Sequence, residues 1–141
     1  MKREAFTLME VLFVIVLLGI LAAVAVPRLS ATRTDAEIAK GKADVSSIRS
    51  SILTERQSQV IRGVVSFIPK LTENTTDTIL FRGDGTRTLL TYGIKEGAWQ
   101  HTAALTYTYT AGGVTTTFTY TPATGIFTCT AGNDYCDELT D

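Results

Sequence analysis

Residues 6–27 read FTLMEVLFVIVLLGILAAVAVP, an apolar run with a single carboxylate, Glu10, at its mouth. From Val11 to Val26 no residue is charged. As a helix those 16 residues rise about 24 Å, and the 21 from Phe6 to Val26 about 31 Å, which matches a bilayer core of about 30 Å. A carboxylate inside or beside hydrocarbon costs about 2.5 kcal/mol or more at a helix centre and normally has a dedicated partner. The span itself offers no cation, so Glu10 needs a positive charge from elsewhere. Ahead of it, Met1-Lys2-Arg3-Glu4-Ala5 is a short basic leader that the positive-inside rule keeps in the cytoplasm.

Two ordinary readings of this segment leave something unexplained. A secretory signal peptide cut after Ala23-Val24-Ala25 fits the small-x-small pattern, but Glu4 and Glu10 sit awkwardly in its charged region. A permanent single-pass anchor explains the length and gives Glu10 no purpose.

Behind Pro27, residues 28–62 carry seven Lys/Arg against four Asp/Glu, whereas 63–141 carry four against eight. This asymmetry would let the acidic head of one copy approach the basic stalk of another, although two solvated faces account for it equally well. The net charge of −1 over 141 residues excludes a strongly basic nucleic-acid binder as the default. In 28–62, Ile38, Val45 and Ile52 recur every seven residues with Ile48 between them, one apolar helical stripe. Asp35 and Glu37 lie early and Arg56 and Arg62 late, as a helix dipole favours, and Arg62-Gly63 offers a stop. The pattern predicts one nearly continuous helix from about residue 6 to about 61, bent at Pro27, with Gly19 and Gly41 as soft points.

Residues 64–100 predict only short strands, near 78–82 and 88–93, around a Gly83-Asp84-Gly85 turn. Asn74-Thr75-Thr76 fits a glycosylation sequon, a triplet that also arises often by chance. Between 105 and 130 the pattern is plainer. Leu105, Tyr107 and Tyr109 alternate with threonine, as do Val114, Phe118 and Tyr120, and Gly112-Gly113 suits the hairpin between the two runs. Pro122-Ala123-Thr124-Gly125 then turns into a third strand, 126–130. The reading is a three-stranded antiparallel meander whose face, with Tyr107, Tyr109, Phe118, Tyr120 and Phe127, covers the helix stripe. The aromatic-threonine ladder also allows a carbohydrate- or surface-binding face. The fold class is thus α+β: a long N-terminal helix, transmembrane in its first half and amphipathic in its second, packed on a small antiparallel sheet.

No catalytic constellation is present: no GxSxG, no His-x-x-x-His pair, no phosphate loop, and His101 beside Trp99 reads as an ordinary surface or half-buried histidine. The chain reads as a non-enzyme that needs no cofactor. Cys129 and Cys136 are a thin hint of metal or redox chemistry in a cytosolic protein and a disulfide in an exported one. Asp134, Asp137, Glu138 and Asp141 form an oxygen-rich tail; the first three are calcium candidates, but their spacing matches no defined loop, and a solvated tail is the preferred reading.

The order basic leader, Phe6-Thr7-Leu8-Met9-Glu10, apolar run, Gly19 and Pro27 resembles the N-terminal signature of type IV pilins and type II secretion pseudopilins. The resemblance covers about residues 3–30. It implies cleavage by a membrane prepilin peptidase between Ala5 and Phe6, methylation of the new Phe6 amine, and pairing of Glu10 with that amine or a neighbour's. Glycine usually precedes the cut in this family; Ala5 here adds a methyl group that bears on cleavage efficiency. The implied parts are a leader (1–5), a transmembrane assembly helix (6–27) with Glu10, Gly19 and Pro27 as assembly residues, an amphipathic helix (28–62) and a β-rich head (63–141). Cys129 and Cys136 resemble the disulfide closing the C-terminal region of many type IV pilins. The expectation is a filament subunit that waits in the bacterial inner membrane, N-terminus cytoplasmic and head periplasmic. It would self-associate and work with an inner-membrane assembly platform and minor pilins. A pseudopilus for secretion or DNA uptake is favoured by the small head, with a surface pilus for adhesion or motility as the alternative. For binding nucleic acid, Lys70, Arg82, Arg87 and Lys95 are the head's only cations, which leaves that partner open.

Overall fold

The computed structural model describes residues 7–130, 132 and 135–141, the side chains of 27–31 excepted. Two compact units divide the chain, Met1–Asp35 and Ala36–Asp141. Helix α1 spans Leu8–Ile61, and its helical backbone continues through Pro27. Its end is the one the sequence marks. The Gly63 N–H donates to the Val60 carbonyl and the Val64 N–H to that of Gln59, each at 2.9 Å, with Gly63 at φ 82°. This is the paired closure in which a left-handed glycine satisfies the last free carbonyls.

In the unit Ala36–Asp141, strands β1 (Ile79–Leu80) and β2 (Ile94–Lys95) form an antiparallel pair. A second antiparallel sheet has the order β3 (Trp99–Ala103), β4 (Thr106–Ala111), β5 (Val114–Thr121), β6 (Ile126–Cys129). A short helix α2, Cys136–Thr140, closes the chain. The α+β architecture is therefore as the sequence patterns indicate, and the β4–β5 hairpin closes at Ala111 opposite Val114 around Gly112-Gly113.

Three details depart from expectation. The meander has a fourth strand, β3, whose Trp99 pairs with Tyr109 and His101 with Tyr107, with a bulge between His101 and Ala103. Residues 88–93 do not form a regular strand. Thr88 makes one bridge to Gly83, while the Leu89 and Leu90 N–H groups reach back to the Arg82 and Phe81 carbonyls. The acidic C-terminus is not simply a solvated tail: α2 turns Cys136 and Leu139 inward and leaves Asp137 and Glu138 exposed.

The core joins the helix stripe to the aromatic face. Val45, Ile48 and Ile52 are at most 1 % exposed, with Ile38 half-buried beside them. Phe81, Trp99, Tyr107, Tyr109, Phe118, Tyr120 and Phe127 are all buried in the same cluster. Phe118 stacks on Phe127 at 5.2 Å and Phe81 meets Trp99 edge-on at 5.3 Å, arrangements that aromatic quadrupoles favour. Because these rings face inward, the outward side of β4 and β5 presents threonines, Thr110 and Thr115 in hydroxyl contact at 3.0 Å. The aromatic platform required by the carbohydrate-binding alternative does not exist on this surface. Burial pushes the Tyr107 phenol up to about 12. It does the same for Tyr120, helped by the nearby Glu55 carboxylate.

Gly41 is not a soft point. A Cβ there would lie 2.5 Å from the Tyr109 ring and 2.6 Å from Leu139, so the helix can approach the sheet and α2 this closely only without a side chain. The contact is reinforced on both sides, where the Tyr109 hydroxyl donates to the Glu37 carbonyl and the Trp99 indole to Asp44 Oδ2 at 3.0 Å.

Candidate functional site: the N-terminal helix

The apolar span, Leu8–Val26, has 19 residues and a mean hydropathy of 2.9. None of it is buried inside its own chain. All but Glu10 and Gly19 carry apolar side chains, seventeen in all, and these have no cover from their own chain. By length and composition it is a candidate membrane span.

Thr7 starts the helix. Its hydroxyl accepts the Glu10 N–H at 3.3 Å, and its carbonyl accepts those of Glu10 and Val11. Thr7-Leu8-Met9-Glu10 thus fits the capping pattern Ser/Thr-x-x-Glu, a signal legible in the sequence but passed over in its reading. The cap sets Glu10 in the first turn of α1, where the unpaired N–H groups favour negative charge. Its carboxylate is exposed, and no cation among the described residues pairs with it. Ala5 and Phe6 lie outside the described residues, as does Asp134, and the Pro27 side chain is likewise undescribed.

Gly19 has open space around it, and a Cβ there would meet nothing within 4 Å. Within one chain it has no packing reason.

The other marked residues lie apart from this helix in sequence. Cys129 and Cys136 are joined by a disulfide across 5.8 Å between Cα atoms, closing the chain over a sequence separation of 7 and holding α2 beside β6. In the chain-entropy account a loop of this size contributes about 2.5 kcal/mol. Replacing both cysteines with serine is therefore expected to lower the melting temperature of the head by roughly 10 °C, read by circular dichroism. Among the described residues no group of three His, Cys, Asp or Glu side chains is placed to hold a metal. His101 is 8 % exposed, stacked on Tyr107 at 4.6 Å, with Nδ1 3.2 Å from the Asn74 carbonyl. It is part of the core wall.

The sequence reading missed one buried acid. Glu55, on α1, is 7 % exposed, and its Oε1 lies 3.6 Å from Arg87 Nε. Arg87 also donates to the Ser66 carbonyl and hydroxyl, so the pair fastens the 82–88 loop to the helix. No sequence pattern announces a partner 32 residues downstream.

The model of the prokaryotic N-terminal methylation motif matches residues 1–26. No curated protein and no solved structure matches the chain significantly. The match ends where the exposed apolar span ends, and it contains the helix-capping Thr7 together with Glu10, whose carboxylate has no partner, and Gly19, which has no packing contact, among the described residues. The chain carries the prepilin signature of type IV pilins and pseudopilins, families of structural subunits rather than enzymes.

Proposed function

We propose that this protein is a structural subunit of a type II secretion-like pseudopilus, an inner-membrane-anchored filament serving protein secretion or DNA uptake. A prepilin peptidase removes residues 1–5, cutting between Ala5 and Phe6, and the Phe6 amine is methylated. The head, about residues 63–141 with the helix stripe of 28–62 beneath it, stands on the periplasmic side. The helices of neighbouring copies bundle through 6–27, and Glu10 neutralises the terminal amine of the next copy. Gly19 gives room for that packing, and Pro27 marks the end of the lipid-facing portion. Partners are further copies, minor pilins and the membrane assembly platform.

The observation that carries this reading is Glu10: an acid on an uncovered apolar helix, paired with no cation among the described residues, four residues behind the position where cleavage would create an amine. The small head supports a pseudopilus over the alternative, a surface type IV pilus for adhesion or motility. The test is the intact mass of the protein purified from membranes of its host. A chain beginning at Phe6 and one methyl group heavier is expected. A chain beginning at Val26, as after signal-peptide cleavage, or one that keeps Met1 while assembling normally, overturns the reading.

A further inference from the structure

Helix α2 is too short to hold its own shape. It has five residues, against the roughly 12–15 below which an isolated helix is marginal in water. Its N-cap residue, Tyr135, has φ 63°, in the left-handed region that side chains with a Cβ disfavour, and it makes no side-chain cap. Within the turn, the Leu139 N–H donates to the Tyr135 carbonyl and the Asp141 N–H to that of Asp137, each at 3.0 Å. Its place on the head is therefore set by what ties it there.

Three ties are visible. A Leu139 methyl fills the notch left by Gly41, beside the Tyr109 ring. The Thr140 carbonyl accepts from Arg49 Nη1 at 3.1 Å. The third tie is covalent, the Cys129–Cys136 bond to β6. One aliphatic side chain and one hydrogen bond are a weak hold on a solvated segment, whereas a covalent link keeps α2 at a high effective concentration beside its seat. That seat is the edge of the four-stranded sheet: β6 is its last strand, and the Phe127 carbonyl is turned outward to Arg49. An uncovered edge is a template for pairing with another strand, so a cover there has a purpose. The core does not depend on α2 in the same way. The ring cluster around Trp99 and Phe118 comes from segments before residue 130, and α2 adds only Cys136 and Leu139 to it.

We propose that α2 is a redox-released clasp: the Cys129–Cys136 bond holds it over the β6 edge and in the Gly41 notch, and reduction frees it while the aromatic core stays folded. Opening takes two electrons and two protons. Dithiothreitol supplies both, its two thiols closing to a cyclic disulfide as Cys129 and Cys136 become thiols. Closing runs the other way against a disulfide donor, by thiolate attack and a mixed disulfide. In the topology proposed above that donor is met after export, which makes seating of α2 a late step in maturation. The clasp itself does not depend on filament assembly.

The full chain in detergent micelles tests this by hydrogen exchange, oxidised and after dithiothreitol treatment of the folded protein. On reduction the Leu139 and Asp141 amides are expected to exchange about tenfold faster or more, and carboxypeptidase to begin removing the terminal residues. The β4 and β5 amides are expected to change by less than about twofold. Cys129→Ser with Cys136→Ser should match the reduced parent; if that variant does not fold, the reduced parent decides alone. Arg49→Met with the bond closed should keep α2 within about threefold of the oxidised parent. Slow α2 exchange after reduction, equal acceleration across β4 and β5, or Arg49→Met as fast as the reduced protein overturns the clasp. None of these outcomes bears on the filament reading, whose own test is the mature mass.

Discussion

Replacing Glu10 with alanine is expected to give a protein that enters the membrane and is trimmed before Phe6 but forms no filaments. Insertion depends on the apolarity of Leu8–Val26, which the substitution only increases. Trimming depends on the leader and the residues flanking the cut, upstream of Glu10. Assembly is different. In a bundle of helices the terminal amine of one copy lies in hydrocarbon, and without the carboxylate it remains a charge with no counter-ion. Removing one partner of a buried pair costs about 3–5 kcal/mol, a factor of more than a hundred at each contact. Because every added copy repeats the loss, filaments are expected to vanish rather than thin. Glu10→Asp keeps the charge on a shorter stem and should assemble weakly, whereas Glu10→Gln should behave like alanine. Immunoblots of sheared filaments, electron microscopy and the intact mass of the membrane pool report the three steps separately. Abundant normal filaments from Glu10→Ala would sink the proposed pairing.

The second large effect concerns the head. Trp99→Ala is expected to lower the stability of the unit Ala36–Asp141 by about 3–5 kcal/mol, a large share of the 5–15 kcal/mol that typically holds a domain together. Trp99 is the centre of the aromatic cluster, touching Phe81, Tyr109, Phe118 and Phe127. Its indole is also the donor to Asp44, whose half-buried carboxyl is pushed above the usual range by desolvation and held back by that same hydrogen bond. Truncation therefore opens a cavity and removes a donor from a desolvated acid. Trp99→Phe keeps part of the ring contact, loses the donor and leaves a smaller cavity, so it should cost less, about 2–3 kcal/mol. Thermal melts by circular dichroism separate the two, since Trp99 is the only tryptophan and fluorescence disappears with it. Equal melting temperatures for Trp99→Ala and the parent would contradict the packing described above.

Local patterns were legible in this chain, and long-range approaches were not. The Ile38, Val45, Ile48 and Ile52 stripe, the Arg62-Gly63 stop and the threonine-aromatic alternation each depend on near neighbours, and the structure realises all three. Strand β3 escaped because its inward positions are Trp99 and His101, and a histidine breaks the apolar alternation even though the ring is buried against Tyr107. Helix α2 escaped because Asp137 and Glu138 made the end of the chain look wholly solvated, while Cys136 and Leu139, three apart, are the residues that turn inward. Gly41 looked like a weak point in a helix; its meaning comes from Tyr109 and Leu139, 68 and 98 residues further on. The site shows the same division. The cap by Thr7 is local and was there to be read, whereas the charge that Glu10 needs lies in no part of the described chain.

Arg49 reaches two places at once: its Nε donates to the Phe127 carbonyl and its Nη1 to that of Thr140. One guanidinium on α1 thereby ties the edge strand β6 and the terminal helix to a single post. Loss of this one side chain would leave both carbonyls without their donor. In the filament proposed above, a load carried along α1 would reach the edge strand and the terminal helix through the same side chain.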